Sequence, residues 1–383
     1  MKKLAVVSAL LVATLGFSQT PQDSTQVANL QQNSAQRILS NTIDKGITIG
    51  GYGQIDYNQP DGNNGELDIH RMVLLFGYRF NDKVQFVTEI EMEHVKELYV
   101  EQAFLSYSLT DNINLRGGLM LVPMGLINEY HEPTIFNGVE RPGVDKSIVP
   151  TTWREIGVGV SGKFDDASLK YQAYIFNGFT SVNGSKVLGG ANGLRNGRQK
   201  GAESTINSPT LSAKLDYYGI RGLRLGASAY LGDTQPADDV EDVKGAKVMV
   251  KMFGGDARYT YKKFRARAQY IHTFISGAED YNTLYASNLG SEMNGWYGEL
   301  AYNILPASKD KKLFAFARYE EFDTQVKTEG FTANDSYDRN VLTTGLSFHI
   351  APGAVVKADY QFLNSKVNDD ATGALNLGLG VWF

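Results

Sequence analysis

Apolar and polar residues alternate along most of the chain from Gly46 onward. In the run 66–80 the even positions from 72 are Met, Leu, Phe, Tyr and Phe, whereas Arg71 and Arg79 lie among the odd positions. The same alternation recurs in 209–218. A period of two is typical of β-strands. The pattern predicts sixteen strands: 46–58, 66–80, 83–93, 97–109, 113–121, 155–164, 167–177, 209–218, 222–231, 247–261, 264–274, 293–304, 312–323, 339–349, 354–364 and 374–383.

The connections between these predicted strands alternate in length. Short turns such as Asn81-Asp82 and Lys262-Lys263 alternate with long segments such as 178–208 and 275–292. An even strand number with trimmed turns at one end is typical of outer-membrane barrels, whereas a soluble sandwich mixes its loop lengths. Aromatic residues near the strand ends suit the two membrane interfaces. The pattern therefore predicts an all-β fold, a transmembrane up-and-down β-barrel of about 16 antiparallel strands.

The basic residues of the predicted strands fall on one face. A charged side chain facing lipid costs several kcal/mol near the bilayer midplane, so this face is predicted to line the lumen. Guanidinium groups bind two oxygens of a phosphate or carboxylate. Arg265 and Arg267 are predicted to be an unpaired anion-facing pair, because their own strand holds no acid. Alternatively, most lumen charges pair across strands. The arginines predicted to face anions are Arg71, Arg79, Arg116, Arg265, Arg267 and Arg318.

One segment, 122–154, breaks the alternation for about thirty residues and holds four prolines. We interpret it as a loop that folds into or over the tube and narrows it. Glu140 and Arg141 are predicted to hold it against the wall. Counting Asp145, it carries four acids and three bases, which predicts at most a weak anion preference. Its candidate site residues are Glu129, Glu132, Glu140, Arg141, Lys146 and Arg154.

The N-terminus reads as a processing signal. Lys2 and Lys3 precede an apolar stretch from Leu4 to Phe17, and small residues precede Gln19 at −1 and −3. Residues 1–18 are therefore predicted to be a signal peptide. Residues 19–45 are polar and are predicted to be a periplasmic segment, either a flexible leader or a short helix that caps the tube. The barrel is predicted to span 46–383.

Charge and composition exclude several classes of function. Without Lys2 and Lys3 the chain has 35 basic and 42 acidic residues, a net charge of −7 that does not suggest nucleic-acid binding. Cysteine is absent, which rules out disulfides and thiolate sites. The five histidines show no metal-ligand spacing, and the G-x-G-x-x-G at 157–162 precedes a turn instead of a helix. We therefore predict a non-enzymatic protein with no catalytic, metal or cofactor site.

Residues that flank the 122–154 segment resemble a known family. Val122-Pro123-Met124-Gly125-Leu126 follows Leu115-Arg116-Gly117-Gly118, and Glu140-Arg141 is followed by Arg154-Glu155-Ile156-Gly157-Val158. These motifs resemble the phosphate-selective porins O and P. The four acids depart from the family's arginine- and lysine-lined constriction.

The resemblance implies a homotrimeric outer-membrane porin whose third outer loop folds inward. The expected partners are outer-membrane lipid, lipopolysaccharide and small anionic or neutral solutes. Two rival classes remain open from the residues alone. One is an adhesin or structural barrel closed by 19–45, and the other is a barrel hydrolase, although no histidine has a convincing catalytic partner in the sequence.

Overall fold

The computed structural model describes residues 32–40, 45–236, 240, 242–306 and 311–383, with the backbone alone for 368–371. The predicted signal peptide and most of the predicted periplasmic segment lie outside the described residues. The sixteen barrel strands, numbered β1 to β16 in chain order, are Gly46–Pro60, Glu66–Arg79, Val84–Glu93, Glu97–Thr110, Ile113–Leu121, Arg154–Phe164, Leu169–Phe176, Thr210–Ile220, Leu223–Asp233, Met249–Tyr261, Phe264–Ser276, Glu292–Asn303, Lys312–Lys327, Asp338–Ala351, Ala354–Ser365 and Asn368–Trp382.

Every strand pairs antiparallel with its neighbours along the chain, and β16 returns to pair with β1. Tyr52 lies opposite Trp382, and Gln54 lies opposite Gly380. This closure leaves no open edge, which a sheet in lipid requires because no water is there to satisfy unpaired backbone groups. The closed barrel of sixteen antiparallel strands confirms the fold class predicted from the sequence.

The two ends of the barrel differ. Turns such as 221–222, 262–263 and 352–353 lie at the end where β1 begins and β16 finishes, which we call the turn end. Long connections at 122–153, 177–209, 234–248 and 277–291 lie at the opposite loop end. The predicted strands 354–364 and 374–383 leave 365–373 as a long connection, and this prediction is wrong. β15 and β16 continue to a tight hairpin at Lys366-Val367.

The alternation separates the two faces as predicted. On β2, Met72 and Leu74 are exposed on the outer face, whereas Arg71 and Val73 are buried on the inner face. A band of exposed aromatic side chains surrounds the turn end, as an interfacial girdle does. It includes Tyr78, Phe80, Tyr107, Tyr217, Tyr261 and Phe383.

Three α-helices accompany the barrel in the described part of the chain: α1 (Ser34–Leu39), α2 (Val144–Ser147) and α3 (Ala278–Tyr285). Asn33 caps α1 by accepting a 2.9 Å hydrogen bond from the Gln36 amide. The helix packs on the inner wall, where a Cβ on Gly77 would lie 2.1 Å from Ile38 Cγ2. Glycine at 77 therefore makes room for α1. None of the helices described is long and apolar enough to cross a membrane.

Because the outer face is assigned to lipid, a charged substitution there should destabilise the porin more at the bilayer midplane than near the membrane interface. Leu215 is 46% exposed in the middle of β8, and Ile220 is 51% exposed at the turn end of the same strand. Leu215→Arg should lower the free energy of unfolding by about 2–4 kcal/mol, and Ile220→Arg by only about 0–1 kcal/mol. Urea titration in phospholipid vesicles measures both values. Equal costs would contradict a lipid-facing midplane at Leu215.

Candidate functional site: the constriction loop

The loop between β5 and β6, residues 122–153, lies inside the barrel, and we call it the constriction loop. Nearly all of its side chains are buried, although α2 is its only described helix. Asn128 joins its two ends: the amide nitrogen donates to the Val122 and Trp153 carbonyls, at 2.8 and 2.9 Å, and the amide oxygen accepts from the Trp153 amide at 2.7 Å. One side chain thus closes the base of the loop.

Apolar packing holds the part of the loop near its base. Trp153 stacks on Phe179 with ring centroids 4.3 Å apart, and Tyr230 meets the same indole edge-on at 4.7 Å. Val122, Met124, Val144, Ile148 and Val149 join them in one buried cluster with wall residues of β10 and β11. Complete burial of such a side chain stabilises by roughly 1.5–3 kcal/mol. The lumen therefore has an apolar region as well as a charged one.

One polar contact region joins the loop to β7, β8 and β11. The Lys214 ammonium donates to the Gly125 carbonyl and lies 3.2 Å from Glu129 and 3.8 Å from Asp256. The Gln269 side chain accepts from the Leu126 amide and donates to Asp145 at 3.0 Å. Wall side chains thus satisfy backbone groups that the irregular loop leaves without partners.

A second contact region joins the loop to β12, β13 and β15, across the lumen from β5 and β6. Asn137 donates to Glu299 at 2.7 Å, and Lys357 donates to the Gly138 carbonyl at 2.7 Å. The Val139 amide donates to Asp359 at 2.6 Å. Further contacts in this region are those of Arg318 with the Glu140 carbonyl and of Glu320 with the Gly143 and Val144 amides. The loop therefore crosses the tube to its far wall.

A third contact region joins the loop to β1, β2 and α1. Arg71 donates to the His131 carbonyl at 2.7 Å, and the Tyr52 hydroxyl lies 3.0 Å from His131 Nε2. Glu132 accepts a hydrogen bond from the Ser34 amide at the start of α1. The N-terminal helix and the constriction loop therefore contact each other inside the barrel.

The next long loop, 177–209, covers the base of the constriction loop. The Arg198 guanidinium donates to the carbonyls of residues 150, 151 and 152, at 3.2, 3.0 and 3.3 Å, and Arg195 also donates to the Thr151 carbonyl. Lys200 lies 4.9 Å from the Tyr99 ring centroid. Burial, with Arg198 and Arg154 nearby, lowers the pKa of Lys200 to about 8. Arg195 and Arg198, two of the four basic residues on this loop, thus bind backbone carbonyls of the constriction loop and do not face the mouth of the barrel.

Comparison with known proteins agrees with this architecture. The model of the phosphate-selective porin O and P family matches residues 47–374. An uncharacterized protein of Aquifex aeolicus is 32% identical over 352 residues, which cover 85% of this chain and 78% of the relative.

Among solved structures, an anion-selective porin from Comamonas acidovorans aligns with a TM-score of 0.56 at 11% identity, over 89% of this chain and 100% of that one. OmpT of Vibrio cholerae in a trimer form aligns with a TM-score of 0.55 at 12% identity, over 89% of this chain and 100% of that one.

The chain belongs to the phosphate-selective porin O and P family. It is a channel protein of the outer membrane, and the recognition and location predicted from the sequence are confirmed. The two solved structures are only 11% and 12% identical to this chain, so they show a shared fold and nothing further.

The six lumen arginines predicted to face anions occupy different surroundings in this porin. Arg71 and Arg318 are buried, lie 3.7 Å from Glu91 and Glu299, and donate to loop carbonyls. Arg267 lies 3.9 Å from Glu299 and donates to the Ile135 carbonyl. These three therefore hold the loop. Of the other three arginines, Arg116 lies 3.3 Å from the Tyr174 hydroxyl and Arg79 lies near the turn end. Arg265 lies 4.0 Å from the Phe314 ring centroid.

The six candidate residues of the loop also divide into two groups. Glu129, Glu132 and Glu140 accept hydrogen bonds from Gln172, the Ser34 amide and Asn58, respectively. Arg154 is buried at the start of β6, within 5.5 Å of the Tyr99 ring centroid. Arg141 is half-buried and Lys146 is exposed, and neither side chain makes an ion pair or hydrogen bond with the described residues. The wall partners Lys214, Glu299, Lys357 and Asp359 were not singled out as site residues from the sequence, because the inward alternation marks them as lumen residues without showing which reach the loop.

Loss of the Lys214 side chain should strongly destabilise the folded porin. Lys214→Met should lower the free energy of unfolding by about 3–5 kcal/mol, because Glu129 and Asp256 stay buried without their cation. The control Lys163→Met removes an exposed lysine that lies 2.8 Å from Asp165, and should cost under about 1 kcal/mol. Denaturant titration followed by tryptophan fluorescence measures both. Similar losses in the two variants would contradict the loop contact.

An engineered disulfide tests the path of the loop. A Cβ at Gly378 would lie 3.1 Å from Val139 Cγ1, close to the about 3 Å between a sulfur and the far Cβ of a disulfide. Val139→Cys with Gly378→Cys should therefore crosslink on oxidation, free of competition because the chain has no cysteine. Mass spectrometry of the peptides detects the bond. Val139→Cys paired with Thr372→Cys, near the loop end of β16, is the control and should stay reduced.

Proposed function

We propose that this porin passes small hydrophilic solutes by passive diffusion and prefers anions weakly. The observation that carries the preference is the difference between acids and bases at the constriction. The loop's acids Glu129, Glu140 and Asp145 accept hydrogen bonds from the wall, and Glu132 accepts one from α1. Arg141 and Lys146 have no such partner among the described residues. The charges available to a solute are therefore mainly positive.

A third positive charge, that of Arg265, lies nearer the turn end. Arg265 makes no ion pair with the described residues, and its guanidinium stacks on Phe314. Lys312 and His349 lie opposite one another on the adjoining strands β13 and β14. Arg267, in contrast, has Glu299 beside it. Arg265 and Arg267, which the sequence predicts to be an unpaired pair, therefore differ in pairing, and Arg265 is the better candidate to face an anion. The low-dielectric walls of the lumen strengthen the field of such an unpaired charge.

Passive diffusion, as opposed to catalysis, is supported by what surrounds the histidines. His131 is a buried residue of the constriction loop, and His94 and His272 lie beside Asp68 and Glu292 without a serine among their hydrogen-bond partners. A hydrolase would need a nucleophile next to such a pair. We therefore propose a channel and not an enzyme.

A homotrimer in contact with outer-membrane lipid and lipopolysaccharide completes the proposal. It is supported by family membership and by the related fold of OmpT, whose structure is described as a trimer form. Small anionic or neutral solutes are the expected cargo, and no nucleic acid is expected as a partner.

Planar-bilayer recording tests the proposed channel. The folded porin should give steady ohmic conductance, and the conductance should be small because the constriction loop reaches the far wall. The reversal potential in a KCl gradient should shift toward the chloride value. A folded, heat-modifiable protein that gives no conductance would favour an adhesin or structural barrel and would overturn the proposal.

Arg265→Ala tests the selectivity. Removal of this charge should lower the chloride-to-potassium permeability ratio by roughly twofold, since low-dielectric walls focus the field of an unpaired charge on permeating ions. Lys263→Ala removes an equal charge from the nearby 262–263 turn and serves as the control. Both ratios come from reversal potentials in the same gradient. If the two variants match the unmodified porin, Arg265 does not set the selectivity.

A further inference from the structure

A buried cluster of ligand-type side chains lies beneath the constriction loop. It consists of Tyr52 on β1, Glu89 on β3, Glu101 on β4 and His131 on the loop, and we call it the His131 cluster. All four residues have 0% relative exposure. The channel function proposed above uses none of them, and no short motif joins them in the sequence.

The donor atoms of the cluster converge on one point. The Tyr52 hydroxyl oxygen lies 2.7 Å from Glu89, 3.2 Å from Glu101 and 3.0 Å from His131 Nε2. His131 Nε2 lies 3.2 Å from the other oxygen of Glu101. One ligand atom each from Glu89, Glu101 and His131 all lie within 4.8 Å of one another. Around a tetrahedral zinc ion with bonds of about 2.0 Å, ligand atoms are about 3.3 Å apart, so small shifts would complete such a shell.

The imidazole is oriented as a metal ligand. Its Nδ1 lies 2.9 Å from the Asn128 carbonyl, an acceptor, so Nδ1 carries the proton and donates it. In the neutral ring the lone pair then resides on Nε2, which faces the carboxylates and the phenol. Metal-bound histidines commonly donate their second ring N–H to a backbone carbonyl in this way, which fixes both the tautomer and the ring.

Unpartnered carboxylate oxygens supply an independent observation. Glu101 Oε1 is fully buried and accepts no hydrogen bond from the described residues, although it faces into the cluster. Both oxygens of the adjacent Glu91 and one of Glu132 are likewise without hydrogen bonds. Arg71 lies 3.7 Å from Glu91 and donates to Gln54 and to the His131 carbonyl instead of to the cluster. Buried oxygens of this kind are costly unless a cation or donor meets them.

We propose that the His131 cluster binds one divalent transition-metal ion of the zinc class through Glu89, Glu101 and His131, with the Tyr52 oxygen adjacent as a fourth donor. One imidazole and two carboxylates suit such an ion, whereas the harder Ca²⁺ takes six to eight oxygens. Gln102 donates to the second Glu89 oxygen at 2.6 Å and orients that carboxylate. The ion would join the constriction loop to three wall strands at once. Because the site is sealed, the ion enters as the barrel folds.

Metal content after refolding tests the proposal. The porin is unfolded in urea with chelator and then refolded in detergent with or without Zn²⁺. After removal of free ion, the unmodified porin refolded with Zn²⁺ should retain about one zinc per chain by mass spectrometry. Glu101→Gln and His131→Gln should each reduce retention to the level of the sample refolded without zinc. The control His272→Gln removes another histidine next to a glutamate, 3.6 Å from Glu292, and should retain the ion.

A second measurement needs no variant and therefore holds even if Glu101→Gln or His131→Gln fails to fold. The unmodified porin refolded with Co²⁺ should develop the visible d–d absorption of a low-coordinate nitrogen–oxygen site, and Zn²⁺ present during refolding should suppress it. No retained zinc and no absorption band would overturn the proposal and leave the His131 cluster as a polar contact between the constriction loop and the wall. Zinc retention equal in all variants would overturn the ligand assignment.

Discussion

Backbone N–H and C=O groups that lie away from water need hydrogen-bond partners, and this need shapes both the wall and the lumen of the porin. In the wall it requires closure, and β1 meets β16 so that no edge strand faces lipid. In the lumen the same need falls on the constriction loop, which lacks regular hydrogen-bonded structure over most of its length. The wall side chains Lys214, Gln269 and Lys357 and several carboxylates supply the missing partners. The charged inner face thus serves as scaffold for the loop before it serves as a surface for solutes.

This double use of charge explains how an acid-rich loop is compatible with the anion preference that we propose for the lumen. Glu299 illustrates the point: it lies 3.9 Å from Arg267 and 3.7 Å from Arg318, and accepts from Asn137 of the loop. A carboxylate with three donors contributes little field to the lumen, whereas a base without a partner contributes its full charge. Counting acids and bases along the loop therefore misjudges the constriction, because pairing determines which charges remain.

The wall could be predicted from the sequence, and the interior only in part. Alternation fixes which residues share a face, so Arg71 and Met72 fall on opposite sides without any coordinates. The partner of Arg267 could not be read in this way, because Glu299 lies in another strand and faces it only in the register of β11 with β12. The His131 cluster was missed for the same reason. Its donors come from three strands and a loop, with spacings that match no metal motif.

The path of the loop is set as much by the far wall as by the loop itself. A Cβ on Gly380 would lie 2.9 Å from the Pro133 ring, and one on Gly378 would lie 3.1 Å from Val139. Both glycines face inward on β16, the last strand of the barrel. Larger residues there would push the loop away from Lys357 and Asp359, whose contacts require it to lie close. Glycine inside a strand weakens it. Gly378 and Gly380 of β16 are therefore explained by the room that they leave for the constriction loop.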